Sequence, residues 1–159
     1  MTPAVRRLEH DGADFTVLRY DHDPRTQAYG EEAIDALGLD PASVFKTLVA
    51  RLDDGRLAVA MVPVCTRLDL KALARAAGAR KAAMATAEAA ERATGYVLGG
   101  ISPLGQKQHL PAFIDSSAET LGTIHVSGGR RGLEIRLASR DLIRLTEARL
   151  APLTRSETS

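Results

Sequence analysis

The hydrophobic pattern is sharpest between residues 44 and 62. The runs VFKTLVARL (44–52) and LAVAMV (57–62) are rich in strand formers, and Asp53-Asp54-Gly55-Arg56 between them is a hairpin turn signal. The pattern predicts an antiparallel pair. Alternation puts Val44, Lys46 and Leu48 on one face of the first strand and Phe45, Thr47 and Val49 on the other. A lysine between two apolar neighbours then shares the face that lines an interior or a cleft. An ammonium there needs a partner. A structural ion pair and a waiting anionic ligand both satisfy that need.

Other segments fall into place around this hairpin. Thr2-Pro3 opens a helix with Val5 and Leu8 on one face and Gly12 at its end. Residues 15–20 alternate as a strand, and YDHDPRTQAYG (20–30) is polar and loop-like. Residues 31–37 read as a helix closed by Gly38, with Ala33, Ile34 and Leu37 inward, and Asp40-Pro41 starts a short turn. Two alanine-rich helices follow, 69–77 ended by Gly78 and 87–93 capped by Thr86. Residues 96–98 and 113–114 read as short strands. Ser116 with Glu119 resembles a capping box. Residues 123–127 and 133–137 flank SGGRRG as a second hairpin, and Ser139 caps a last helix through about Leu150. Residues 154–159 read as a frayed, flexible tail, leaving one domain over 1–153. Two hairpins argue against a doubly wound parallel sheet. An α+β domain is expected, its mixed, curved sheet carrying helices on the outside.

Composition narrows the class. At 159 residues, with 45% hydrophobic and 26% charged, the chain makes an ordinary globular domain and not a disordered one. One cysteine excludes an internal disulfide and a multi-cysteine zinc cage. The longest apolar run, Leu57 to Cys65, contains Pro63 and is half of a membrane span, and the first residues lack an apolar signal core. A cytoplasmic, membrane-free location is the default. A net charge of +1 excludes a polycation that coats nucleic acid indiscriminately. Of 21 basic residues only Lys46, Lys71, Lys81 and Lys107 are lysines. Where arginine is the habit, a retained lysine marks a position that needs a compact ammonium.

Candidate chemistry is sparse. His10, His22, His109 and His125 lie far apart without ligand spacing, so no metal is expected. Cys65 reads as a packed structural thiol, although Arg67 is near. There is no GxSxG elbow and no GxxxxGK[ST] loop. Two glycine-rich loops remain. Gly99-Gly100-Ile101-Ser102-Pro103-Leu104-Gly105 is either a plain turn or a nest of N–H groups for a phosphate or an oxyanion. Ser127-Gly128-Gly129-Arg130-Arg131-Gly132 is either a solvated hairpin tip or a phosphate contact.

VFKTL (44–48), TGYVLGGISPLGQK (94–107) and VSGGRRGLEI (126–135), with TPAVRRLE and YDHDP, together resemble the YbaK family of free-standing aminoacyl-tRNA deacylases. Its members are similar to the editing domain inserted in bacterial prolyl-tRNA synthetases. The resemblance runs from about residue 2 to 150 and sits closest to the Cys-tRNA(Pro) deacylases. It implies the editing-domain fold with a partly closed, barrel-like sheet. It implies a cofactor-free hydrolase that removes cysteine from tRNA(Pro), with the tRNA acceptor end and prolyl-tRNA synthetase as partners. By resemblance Lys46 holds the terminal nucleotide, and Gly99, Gly100 and Ile101 form an oxyanion loop through their N–H groups. Tyr20, Thr47, Ser127, Gly128 and Gly129 shape the pocket, joined by Glu134 where relatives carry Asp. The absence of a protein nucleophile is expected on this reading, because the substrate's own thiol attacks its ester. The alternatives are an alanine-specific or broad deacylase using water, and a non-catalytic tRNA- or synthetase-binding module.

Overall fold

The computed structural model describes residues 1–26 and 28–156. Helices are α1 (Pro3–Asp11), α2 (Tyr29–Leu37), α3 (Leu70–Ala77), α4 (Ala87–Thr94) and α5 (Ser139–Thr146). Strands are β1 (Phe15–Arg19), β2 (Phe45–Leu52), β3 (Leu57–Pro63), β4 (Thr66–Leu68), β5 (Ala82–Met84), β6 (Ala112–Asp115), β7 (Thr123–Ser127), β8 (Leu133–Ala138), β9 (Arg149–Ala151) and β10 (Thr154–Ser156). They form a five-stranded sheet β5-β2-β3-β6-β9, a three-stranded sheet β1-β8-β7, and the pair β10-β4. The β3–β6 and β6–β9 pairings are parallel and the others antiparallel, so the architecture is mixed α+β.

The hairpin β2–β3 organises the molecule. Its register pairs Lys46 with Val62 and Thr47 with Met61. Phe45, Val49, Val59 and Met61 face the larger core, together with Val5, Leu8, Ile124, Val126, Ile135, Leu137 and Leu142. That core lies between the two larger sheets. Ala50, Leu52, Ala58, Ala60 and Val62 face the opposite way, onto Leu73 of α3 and Leu153. The two-residue period therefore drives both faces of β2 into apolar surroundings, except at its start. A parallel bridge between Val44 and His125 ties the first sheet to the second there. The two sheets meet at that corner and do not close into a barrel.

Several expectations need correction. Residues 96–98 are not a strand. Thr94 Oγ1 accepts from the Tyr96 N–H at 3.2 Å, the Tyr96 hydroxyl donates to the Leu104 carbonyl at 2.6 Å, and the Gly100 N–H donates to the Val97 carbonyl at 2.8 Å. These bonds curl the chain into a turn that leaves Val97 and Leu98 exposed. The cap of the 3₁₀ turn Ser116–Thr120 is Asp115 and not Ser116: its carboxylate accepts from the Ser117 and Leu153 N–H groups. Ser139 is the first residue of α5 and donates to the Ala118 carbonyl, without capping the helix. The helix stops at Thr146, because Glu147 turns left-handed at φ 54. Residues 149–151 then leave as β9. The first three residues of the expected tail form β10, and 157–159 lie outside the described residues. Among the described residues no helix is long and apolar enough to cross a membrane.

Candidate functional site

A cavity of about 330 Å³ opens where β2 begins. Lys46, Thr47 and Leu48 line it from β2; Tyr20, just after β1, Ser127 of β7 and Glu134 of β8 line it as well, and Gly99 and Ile101 close another side. The start of α2 supplies Tyr29 and Gly30. The volume is at the low end of the ~300–1,000 Å³ typical of small-molecule sites.

Lys46 Nζ donates to the Thr66 carbonyl at 2.7 Å. That carbonyl belongs to β4, which leaves the β3–β4 turn beside the start of β2. One of the ammonium's three donors is thereby fixed, and the other two are free to address a ligand. The lysine has no carboxylate partner among the described residues, so of the two readings of its charge the structural ion pair is not realised. Next to it, Thr47 Oγ1 is buried with no hydrogen-bond partner among the described residues. Leaving a buried hydroxyl unpaired carries a cost of ~1–3 kcal/mol.

Glu134 sits in β8 between Ser127 of β7 and Leu18 of β1, and is 7% exposed. Burial alone pushes its carboxyl up to about 8. At neutral pH the group is therefore mostly a neutral acid, able to donate as well as accept. A phosphate-bearing ligand meets no full negative charge there. Burial likewise raises the Tyr20 hydroxyl, with the Gly132 backbone opposing and Glu134 adding to the rise.

The glycine loop is split in its duties. Gly99 and Ile101 line the cavity, and their N–H groups have no acceptor among the described residues. The Gly100 N–H donates to the Val97 carbonyl, and Gly100 is not among the residues that line the cavity. Its role is steric. A Cβ at Gly100 would lie 2.8 Å from the Cα of Arg130, so its bareness lets the two glycine loops touch. Gly128 and Gly129 are also outside the cavity lining. The Gly128 N–H donates to Leu133 and the Gly129 N–H to Ser127 Oγ, shaping the hairpin tip that presents Ser127.

Contacts that the sequence does not show lock this arrangement. Arg131 donates to the Leu98 carbonyl at 2.6 Å and stacks over the Tyr29 ring at 4.5 Å. His22 and Glu32 bond at 2.7 Å, anchoring the loop before α2. Gly30 lies so close to Val64 that a Cβ would come within 2.5 Å of it. The available signal was an aromatic followed by glycine, Tyr29-Gly30, inside an otherwise polar run. Cys65 is exposed in the turn between β3 and β4, not packed, and lies outside the cavity lining. Among the described residues no three His, Cys, Asp or Glu side chains gather as metal ligands.

The sequence pattern of the family described as the aminoacyl-tRNA editing domain matches residues 23–145. A relative from Enterococcus faecalis (strain ATCC 700802 / V583) is 37% identical over 127 residues, covering 80% of this chain and 77% of its own; it carries the provisional name Cys-tRNA(Pro)/Cys-tRNA(Cys) deacylase EbsC. A solved structure described, also provisionally, as a trans-editing enzyme for prolyl-tRNA synthetase superimposes with a TM-score of 0.84 at 28% identity, covering 98% of this chain and 99% of that one.

Proposed function

This chain belongs to the aminoacyl-tRNA editing domain family, and on that premise we propose that its cavity holds the charged 3′ end of tRNA(Pro) and clears misattached cysteine from it. The chain is an aminoacyl-tRNA deacylase. The observation that carries the finer reading is convergence. Lys46, Gly99 and Ile101 line one cavity, and the Gly99 and Ile101 N–H groups have no acceptor among the described residues.

Lys46 holds the phosphate of the terminal nucleotide, with its position set by the Thr66 carbonyl. The ester carbonyl oxygen faces the Gly99 and Ile101 N–H groups, which stabilise the negative charge that grows as the carbonyl is attacked. One such donor is worth roughly 3–4 kcal/mol. The attacking atom is the sulfur of the misattached cysteine. A C–S bond forms at the ester carbon, the bond to the ribose oxygen breaks, and the thiol proton goes to that departing oxygen. tRNA is released and the amino acid leaves as a cyclic thioester. Holding an internal nucleophile in line contributes up to ~7–11 kcal/mol, so no nucleophile from the protein is required. Selectivity by this route is chemical. A hydrophobic pocket separates cysteine from proline poorly, whereas only the thiol carries out the attack.

The test is a deacylation panel of Cys, Ala, Ser and Pro on tRNA(Pro), with and without prolyl-tRNA synthetase. Cysteine is expected to be released far faster than serine. Equal rates for Cys and Ser would replace the thiol by an attacking water, and faster release of alanine would move the specificity to that amino acid.

A further inference from the structure

Beside the cavity lies a second recess, wider and more open, of about 590 Å³, lined by Arg19, Tyr20, Asp21, Arg130, Arg131 and Gly132. We propose that it binds the phosphodiester backbone of the single-stranded RNA that leads to the charged terminal residue. The proposal rests on the tRNA reading of the cavity and adds the path of the chain outside it.

Position is the first argument. Tyr20 and Arg130 line both spaces, so one wall separates the two. The cavity has room for a terminal residue and its ester, and a polymer attached to that residue must leave across a wall. The recess adjoins the cavity across this shared wall.

Charge is the second. Arg19, Arg130 and Arg131 are exposed, and none pairs with a carboxylate among the described residues. Asp21 shares the recess, yet it comes within 4.0 Å of no arginine nitrogen there. Three guanidiniums against one carboxylate leave a local excess of positive charge on a chain that is nearly neutral as a whole. Planar guanidinium forks suit phosphate oxygens bidentately.

Rigidity is the third. The Arg131 guanidinium is held between the Leu98 carbonyl and the Tyr29 ring. The Tyr20 N–H donates to the Gly132 carbonyl at 3.1 Å, and a Cβ at Gly132 would lie 2.8 Å from the Tyr20 carbonyl oxygen. The floor of the recess is thus built before any ligand arrives, and it is continuous with the cavity wall.

The experiment compares Arg19→Ala and Arg130→Ala with the parent on two substrates, cysteinyl-tRNA(Pro) and 3′-cysteinyl adenosine, which has no phosphate. The ratio of kcat/KM for tRNA over adenosine is expected to fall about tenfold in each variant. The slope of log kcat/KM against log salt for the tRNA is expected to shrink by about 0.7 per lost contact. An unchanged ratio in both variants, or equal losses on both substrates, overturns the recess. A parallel measurement does not depend on catalysis: fluorescence anisotropy of a short single-stranded RNA with the tRNA 3′ sequence. Weaker binding by both variants at unchanged Tm supports the recess even if the parent releases no cysteine, in which case only the deacylation reading fails. Binding equal to the parent's overturns the recess alone.

Discussion

Gly100 and the backbone of Arg130 are in contact, and no side chain fits between them: a Cβ on Gly100 would lie 2.8 Å from the Arg130 Cα. This contact, together with the Arg131–Leu98 hydrogen bond, joins the glycine loop to the hairpin that carries Ser127 and Arg130. Gly100→Ala is therefore expected to push the loops apart, costing ~1–3 kcal/mol of stability and a larger share of activity. Gly122→Ala is the control. Gly122 has nothing within 4 Å of its added Cβ and no positive φ, so the change should stay within about 0.5 kcal/mol. Thermal melting and kcat/KM of both variants check this.

Lys46→Ala should lower kcat/KM on the order of a hundredfold, because it removes a partly buried ammonium that addresses the ligand. The loss of its bond to Thr66 should cost only about 1 kcal/mol in stability. Lys46→Arg should not rescue activity, since a planar fork cannot take the place of a point donor set by one carbonyl. Full activity in Lys46→Ala would remove Lys46 from the site, and full activity in Lys46→Arg would show that any cation there suffices. Kinetics together with circular dichroism separate loss of function from loss of fold.

Glu134 predicts a pH dependence of known sign. Its folded pKa is raised from 4.5 to about 8, so the folded chain keeps a proton that the unfolded chain releases. Its contribution is fully present below about 4.5 and is lost as pH rises to about 8. Glu134→Gln should flatten that slope and exceed the parent in stability at about pH 9. Urea denaturation at about pH 5 and about pH 9 reads it.

His125 predicts the opposite slope. It is 6% exposed, bonded to Ser43 Oγ at 3.0 Å through Nδ1, and accepts from Arg136 Nε at 3.0 Å through Nε2. Burial first, and the Arg136 charge second, lower its pKa from 6.5. The neutral ring is the folded form, so its contribution is present above about 6.5 and is lost as pH falls below it. His125→Gln should weaken the acid-side loss seen in the parent. An unchanged acid limb would mean that the His125 link between the sheets carries no proton-coupled stability.

The amino-acid order alone settled the β2–β3 hairpin, the α3 and α4 helices and the β7–β8 hairpin, since each rests on local period, caps and turn residues. It also marked Lys46 as a charge on a face that needed a partner. The order was silent on β4 and β5 and read β9 as the end of a helix and β10 as part of a frayed tail; all four are short and owe their existence to strands far away in the chain. It extended α5 too far, because Glu147 reverses the helix without a glycine to announce it. The glycine loop shows the same division most plainly. Its composition advertised a nest of donors, but composition could not assign the individual N–H groups. Only folding decided that Gly100 would bond inward to Val97 while Gly99 and Ile101 faced the cavity. Periodicity and capping act over a few residues and are written in them. Which donor stays free, and which two loops touch, depends on surfaces brought together across the whole chain.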